Sequence, residues 1–195
     1  MTDVKQKYCF IDVETTGLFA GKSSIIQIAG YIDIDGETAT SFNWKCAPFE
    51  SADIHPEALK ANNTDPATLY DHPPVDKVIS EFRSLCTQYV NKYDKTDKMF
   101  FIAYNSGFDE GFVRSHFTRI GDKFFGSLFW APSVCVMQMS MIHLLGIRNT
   151  LPNFKLGTVA SHILERDVTL EGLHDASTDI TITRELFYNL QNKRR

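Results

Sequence analysis

The sequence predicts an α/β domain on a mixed sheet, and three observations lead there. Strand patterns open the chain and are joined by a hairpin signal. Short apolar strands then alternate with stretches of helical periodicity. Finally, 195 residues make one domain, with a small appendage at most. A strand meander followed by alternating β and α gives three antiparallel strands, then parallel ones, flanked by helices.

Each element follows from its pattern. Tyr8 to Val13 reads as a strand with Tyr8, Phe10 and Asp12 on one face and Cys9, Ile11 and Val13 on the other. Both faces are apolar until Asp12, as in a central strand covered on both sides. Ile25 to Ile34 and Thr38 to Cys46 follow, separated by Asp35-Gly36, a hairpin turn signal. Residues 47–74 hold Pro48, Pro56, Pro66, Pro73 and Pro74, and read as loops with short helical turns. Val75 to Val90 carries Val75, Val78, Ile79, Phe82, Leu85, Cys86 and Tyr89 at helical spacing. After a charged loop, Met99 to Tyr104 is a short buried strand. A helix runs from Asp109 to Ile120. Val134 to Val136 is a strand leading into a helix that reaches Leu145. Further helices span Lys155 to Leu164 and Ala176 to Gln191. There is no internal repeat or low-complexity segment.

Composition narrows the function classes. The hydrophobic fraction is 43% and the charged fraction 23%, ordinary for a soluble domain. No apolar run approaches the roughly 20 residues that span a bilayer, so no membrane role is expected. The polar start, Met1 to Lys7, is unlike a secretory signal. Cys9, Cys46, Cys86 and Cys135 show no C-x-x-C spacing, which points to free thiols in the reducing cytoplasm. A net charge of −4 argues against a broad basic face that coats nucleic acid, but not against an enzyme gripping a few phosphates. Lys193-Arg194-Arg195 reads as a solvated helix end.

The chemistry-bearing residues are carboxylates. Asp12 and Glu14 stand two apart on a strand, hence on one face, where it gives way to a glycine loop. Carboxylates this close repel unless a cation lies between them. D-x-E alone recurs by chance, and a solvated strand end would explain it. Asp109 changes the balance. Its helical neighbours are Phe112, Val113, His116 and Ile120, so it lies on or beside the core-facing stripe, although Asp also favours helix caps. Asp179 sits likewise above Ile182, Thr183, Leu186 and Leu190. A carboxylate on such a face is costly unless paired or metal-bound. His174, five residues before Asp179, falls on the loop leading into that helix and is free to turn toward the same site.

These residues resemble the DEDDh (DnaQ-like) family of 3′–5′ exonucleases in the RNase H-like superfamily. The family's first motif, D-x-E-T-T-G-L, matches Asp12 to Leu18. The second, N-x-x-F-D, matches Asn105 to Asp109. The third, H-x-x-x-x-D, matches His174 to Asp179. One departure is Tyr104, where many members carry His. A weaker match is Ile54 to Asn62, which resembles a segment beside the terminal nucleotide.

The resemblance implies an RNase H-like fold and two Mg²⁺ ions, with Mn²⁺ able to substitute, held by Asp12, Glu14, Asp109 and Asp179. His174 would be the general base. Its ordinary pKa near ~6.5 suits that role. Thr15 and Gly17 would lie near the terminal 3′-hydroxyl and Leu18 would wedge against the last bases. Asn62, Asn105 and Phe108 would line the substrate channel. For Leu18 and Phe108, core packing is the competing reading. The substrate implied is a single-stranded nucleic acid 3′ end, DNA favoured over RNA, in replication or repair. A polymerase or a second copy of the chain is the implied partner. The alternatives are an exoribonuclease of the same family and a non-catalytic polymerase-docking module.

Overall fold

The computed structural model describes residues 5–169, 173 and 175–192. His174 and Lys193-Arg194-Arg195 lie outside the described residues. Among the described residues the sheet has five strands in the order β3-β2-β1-β4-β5. They are β1 Lys7–Thr15, β2 Ile25–Ile34, β3 Glu37–Lys45, β4 Phe100–Ala103 and β5 Val134–Cys135. β1 pairs antiparallel with β2, and β2 with β3. β4 lies parallel to β1, and β5 parallel to β4. Asp35 and Gly36 close the β2–β3 hairpin with φ of 54° and 88°, the positive pair that a tight hairpin turn demands.

Among the described residues there are seven α-helices: α1 Pro56–Ala61, α2 Val75–Tyr89, α3 Ser106–Arg119, α4 Phe125–Leu128, α5 Val136–His143, α6 Leu156–Ile163 and α7 Ala176–Asn192. The alternation in β1 divides the core in two. Cys9, Ile11 and Val13 pack with Phe82 of α2 and Phe112, Val113 and Phe117 of α3. Tyr8 and Phe10, on the other face, pack with Val159 and Ile163 of α6 and Ile180, Leu186 and Phe187 of α7. Each large apolar side chain buried this way stabilises the fold by roughly 1.5–3 kcal/mol.

α3 starts at Ser106, three residues before the predicted start at Asp109. Ser106 and Gly107 carry no apolar period, so hydrophobic spacing registers only later. Asp109 is therefore inside the first helical turn and not its cap. α4, with 4 residues, is too short for periodicity to show.

α7 docks on β2 through a ladder of polar contacts from alternate strand residues. Gln27 reaches Asp175, just before the helix, at 3.2 Å. The Tyr31 hydroxyl meets Thr181 at 2.8 Å. Asp33, fully buried, accepts from Arg184 Nε and from the Tyr188 hydroxyl, each at 2.7 Å. Ala29, between Gln27 and Tyr31, is small enough to let the helix approach.

Gly30 is a second point of close approach. A Cβ there would lie 2.0 Å from the Phe10 carbonyl oxygen and 2.6 Å from Phe42 Cζ. Backbone cannot move aside as a flexible side chain can. Gly30→Ala is expected to cost about 3 kcal/mol, the upper range for overpacking. Urea unfolding measures it, and an unchanged midpoint would contradict the register described.

Candidate active site

The site forms where β1 outruns its parallel neighbour. Pairing with β4 ends at Phe10↔Ile102, while β1 continues to Thr15. The carboxyl ends of the parallel strands thus open a crevice, the usual location of ligands in open α/β sheets. Asp12 and Glu14 project from this overhang on the face that α7 covers. α7 brings Asp179 in its first turn. One oxygen from each of Asp12, Glu14 and Asp179 lies within 4.8 Å of the others, and all three residues are half-buried. Among the described residues this is the one group whose spacing suits a metal ion.

Asp109 approaches from the opposite layer. α3 starts just past β4, so its first turn lies beside the β1 overhang. The Val13 N–H, beyond the end of β4, donates to Asp109 Oδ1 at 3.2 Å in place of a strand partner. Asp109 is buried and stands outside the group of three, yet close enough to repel Asp12.

The electrostatics show strain among these carboxyls. Burial, and then the charges of Asp109, Glu14 and Asp179, push Asp12 well above the usual carboxylate range. Burial and then Asp179 push Glu14 up to about 8, against a hydrogen bond from Asn62. Burial raises Asp109 to about 7, partly offset by the Val13 N–H. Like charges crowded in a half-buried crevice relieve this strain by taking up protons or a cation. Hard carboxylate oxygens suit Mg²⁺ or Mn²⁺. The donor set and its spacing therefore fit a divalent ion.

The other anticipated residues are placed as follows. Thr15 is buried and donates to the Gly17 carbonyl at 2.7 Å. Gly17 lies under the His55 ring, where a Cβ would sit 2.4 Å from His55 Cδ2. Leu18 is 76% exposed and its neighbour Phe19 67%, so core packing is not the role of Leu18. With His55, Ala58 and Ala61 they line a mostly apolar groove. Asn62 donates to the Thr15 carbonyl at 3.1 Å, tying α1 to the end of β1. Asn105 is exposed at the start of α3. Phe108 is half-buried, with its ring 4.9 Å from that of Phe112.

Hydrophobic pattern did not reveal the work of two polar residues. Gln27 is buried opposite Glu14 on β2. Asp175 caps α7, accepting from the Ser177 N–H at 3.0 Å and from the Ser177 hydroxyl. Burial alone would raise the Asp175 carboxyl, but the bonds from Ser177 and Gln27 hold it below its ordinary value. The available signal was the Asp175-x-Ser177 spacing at a helix start.

Known proteins resemble this chain in sequence and in fold. The RNase_T family model, described as exonuclease, matches residues 9–187. Ribonuclease T of Haemophilus influenzae (strain PittGG) is 32% identical over 123 residues, covering 58% of this chain and 52% of that protein. A PolC-type DNA polymerase III of Listeria innocua is 27% identical over 186 residues, 94% of this chain and 11% of that one. Escherichia coli exonuclease I in complex with a dT13 oligonucleotide superposes with a TM-score of 0.75 at 18% identity, over 97% of this chain and 41% of that one. The chain thus spans about half of the Ribonuclease T relative's length and less of the other two. The shared architecture is the RNase H-like fold. With a family match across nearly its whole length and the carboxylates gathered at the end of β1, the chain belongs to the exonuclease family, as a DnaQ-like member of the RNase H-like superfamily.

Proposed function

We propose that the protein is a metal-dependent 3′–5′ exonuclease that releases nucleoside 5′-monophosphates from single-stranded DNA ends. The observation that carries this reading is the Asp12, Glu14 and Asp179 group beside the exposed Leu18 and Phe19. Two Mg²⁺ ions, or Mn²⁺ in their place, would supply Lewis-acid charge and an activated water there. Asp12, Glu14 and Asp179 would hold one ion, and Asp12 with Asp109 would hold the second. His174, two residues before α7 in the sequence, takes the proton of the attacking water as general base.

Thr15 and Gly17 lie against the terminal 3′-hydroxyl. Leu18 enters between the last bases, and Asn62, Asn105 and Phe108 line the channel. Exposed apolar side chains suit unpaired bases, which offer free ring faces for contact. The likeness to a PolC-type polymerase supports a replication or repair setting, with a polymerase or a second copy of the chain as partner. Free cysteines suit the cytoplasm. No helix among the described residues is long and apolar enough to cross a membrane.

The Ribonuclease T relatives favour a second reading, trimming of RNA 3′ ends by the same residues. Discrimination would rest on the 2′-hydroxyl. Matched DNA and RNA oligomers, digested in parallel with Mg²⁺, decide between them. Faster release from DNA is expected, and strong preference for RNA would overturn the DNA reading.

A further inference from the structure

Four residues form a frame around one side of the carboxylate group. Glu14 and Gln27 face each other across β1 and β2. Asp175 and Asp179 are one helical turn apart, with the Asp179 N–H donating to the Asp175 carbonyl at 3.0 Å. On the metal-facing edge, Glu14 and Asp179 converge with Asp12. On the opposite edge, Gln27 Nε2 donates to Asp175 Oδ2 at 3.2 Å and to Asn43 Oδ1 at 2.9 Å, so both amide protons are engaged. Gln27 is only 6% exposed, and its amide has few other places to turn. Asp175 Oδ1 is taken up by Ser177. The Gln27–Asp175 bond therefore joins strand to helix one residue pair away from where the metal would join them.

We infer that Gln27 is a positioning residue, whose bond to Asp175 sets the spacing at which Glu14 and Asp179 share a divalent cation. The inference rests on the metal-site reading above. Its chemistry requires an amide donor on one side of the 27–175 pair and a carboxylate acceptor on the other. An apolar side chain would leave Asp175 Oδ2 without its bond, and a carboxylate would repel both Asp175 and Glu14. Partners that orient metal ligands in this way typically matter by about 10–100-fold in metal affinity or activity.

The test measures Mn²⁺ binding by calorimetry, together with kcat, KM and thermal midpoint. It uses the whole chain as Gln27→Leu, Gln27→Glu, Asp175→Asn and the swapped pair Gln27→Glu with Asp175→Asn. Both single changes at Gln27 are expected to weaken Mn²⁺ binding and lower kcat by about 10-fold or more, with KM for a short oligomer nearly unchanged. The swapped pair puts an amide donor opposite a carboxylate again and keeps a helix cap, since Asn caps as well as Asp. It is expected to recover part of the binding and kcat, because the bond returns while the carboxylate at position 27 still faces Glu14. Unchanged Mn²⁺ binding in Gln27→Leu, beside a wild type that binds, would overturn the inference alone. So would a swapped pair no better than the product of its single changes, and that comparison stands even if Gln27→Leu fails to fold. A wild type that binds no Mn²⁺ would remove the metal-site reading as well.

Discussion

Asp12→Ala is expected to lose nuclease activity by about a thousandfold or more while remaining folded. The loss follows from position. Asp12 feels the charges of Asp109, Glu14 and Asp179 together, and its carboxyl is raised first by burial and then by their repulsion. Removing it takes away the ligand that both ions would share. Losing several kcal/mol of charge stabilisation in the transition state corresponds to that rate factor. The fold should not suffer, because Asp12 contributes repulsion to it and no hydrophobic burial. The thermal midpoint of the metal-free variant should equal or exceed that of the metal-free wild type. Release of nucleotides and thermal unfolding, measured on the same preparation, check both halves. Full residual cleavage would refute the assignment of Asp12 as a ligand, and a collapsed midpoint would make its role structural.

The second large effect is a dependence of stability on pH that metal reverses. Glu14 moves from 4.5 to about 8 on folding, and Asp109 from 3.8 to about 7. Between those limits the folded state keeps protons that the unfolded chain releases. Stability contributed by such groups is fully present below the unfolded values and is lost as pH climbs through the folded ones. The metal-free protein is therefore expected to weaken from about pH 4 to about pH 8, by an amount on the order of a few kcal/mol. A divalent cation replaces the protons on the same oxygens. At a concentration about 100-fold above its Kd it adds about 2.7 kcal/mol. The gain in thermal midpoint on adding Mn²⁺ should be clearly larger at pH 8 than at pH 5. Equal gains, or a larger gain at pH 5, would contradict the cation-for-proton exchange.

Much of this arrangement is legible in the sequence, for identifiable reasons. The unbroken apolar run before Asp12 marks β1 as central, and β1 does lie in the middle of the sheet, with core on both faces. The hairpin at Asp35-Gly36 is local chemistry, and it appears where the pattern puts it. Asp109 and Asp179 interrupt apolar helix faces, and the structure brings both to the end of β1. Pattern cannot supply the division of labour among the carboxylates. That Asp12, Glu14 and Asp179 form one group while Asp109 turns to the Val13 N–H depends on how far β1 overhangs β4, a tertiary fact. Gln27 was invisible for a related reason. A polar residue inside an apolar strand gives no sign of its partner when that partner lies 148 residues away on a helix cap. Leu18 illustrates the reverse. Its type suggests core, yet the tight loop around Gly17 leaves it in solvent.

Metal held by these carboxylates is proposed to remove nucleotides from a 3′ end. The most direct measurement uses a 5′-end-labelled single-stranded DNA oligomer with chelator-treated protein, before and after Mg²⁺ is restored. No cleavage is expected without metal. With metal, a ladder that shortens one nucleotide at a time from the 3′ end is expected, accompanied by nucleoside 5′-monophosphates. Immediate loss of the label as a mononucleotide, internal cuts, or equal digestion under chelation would contradict it.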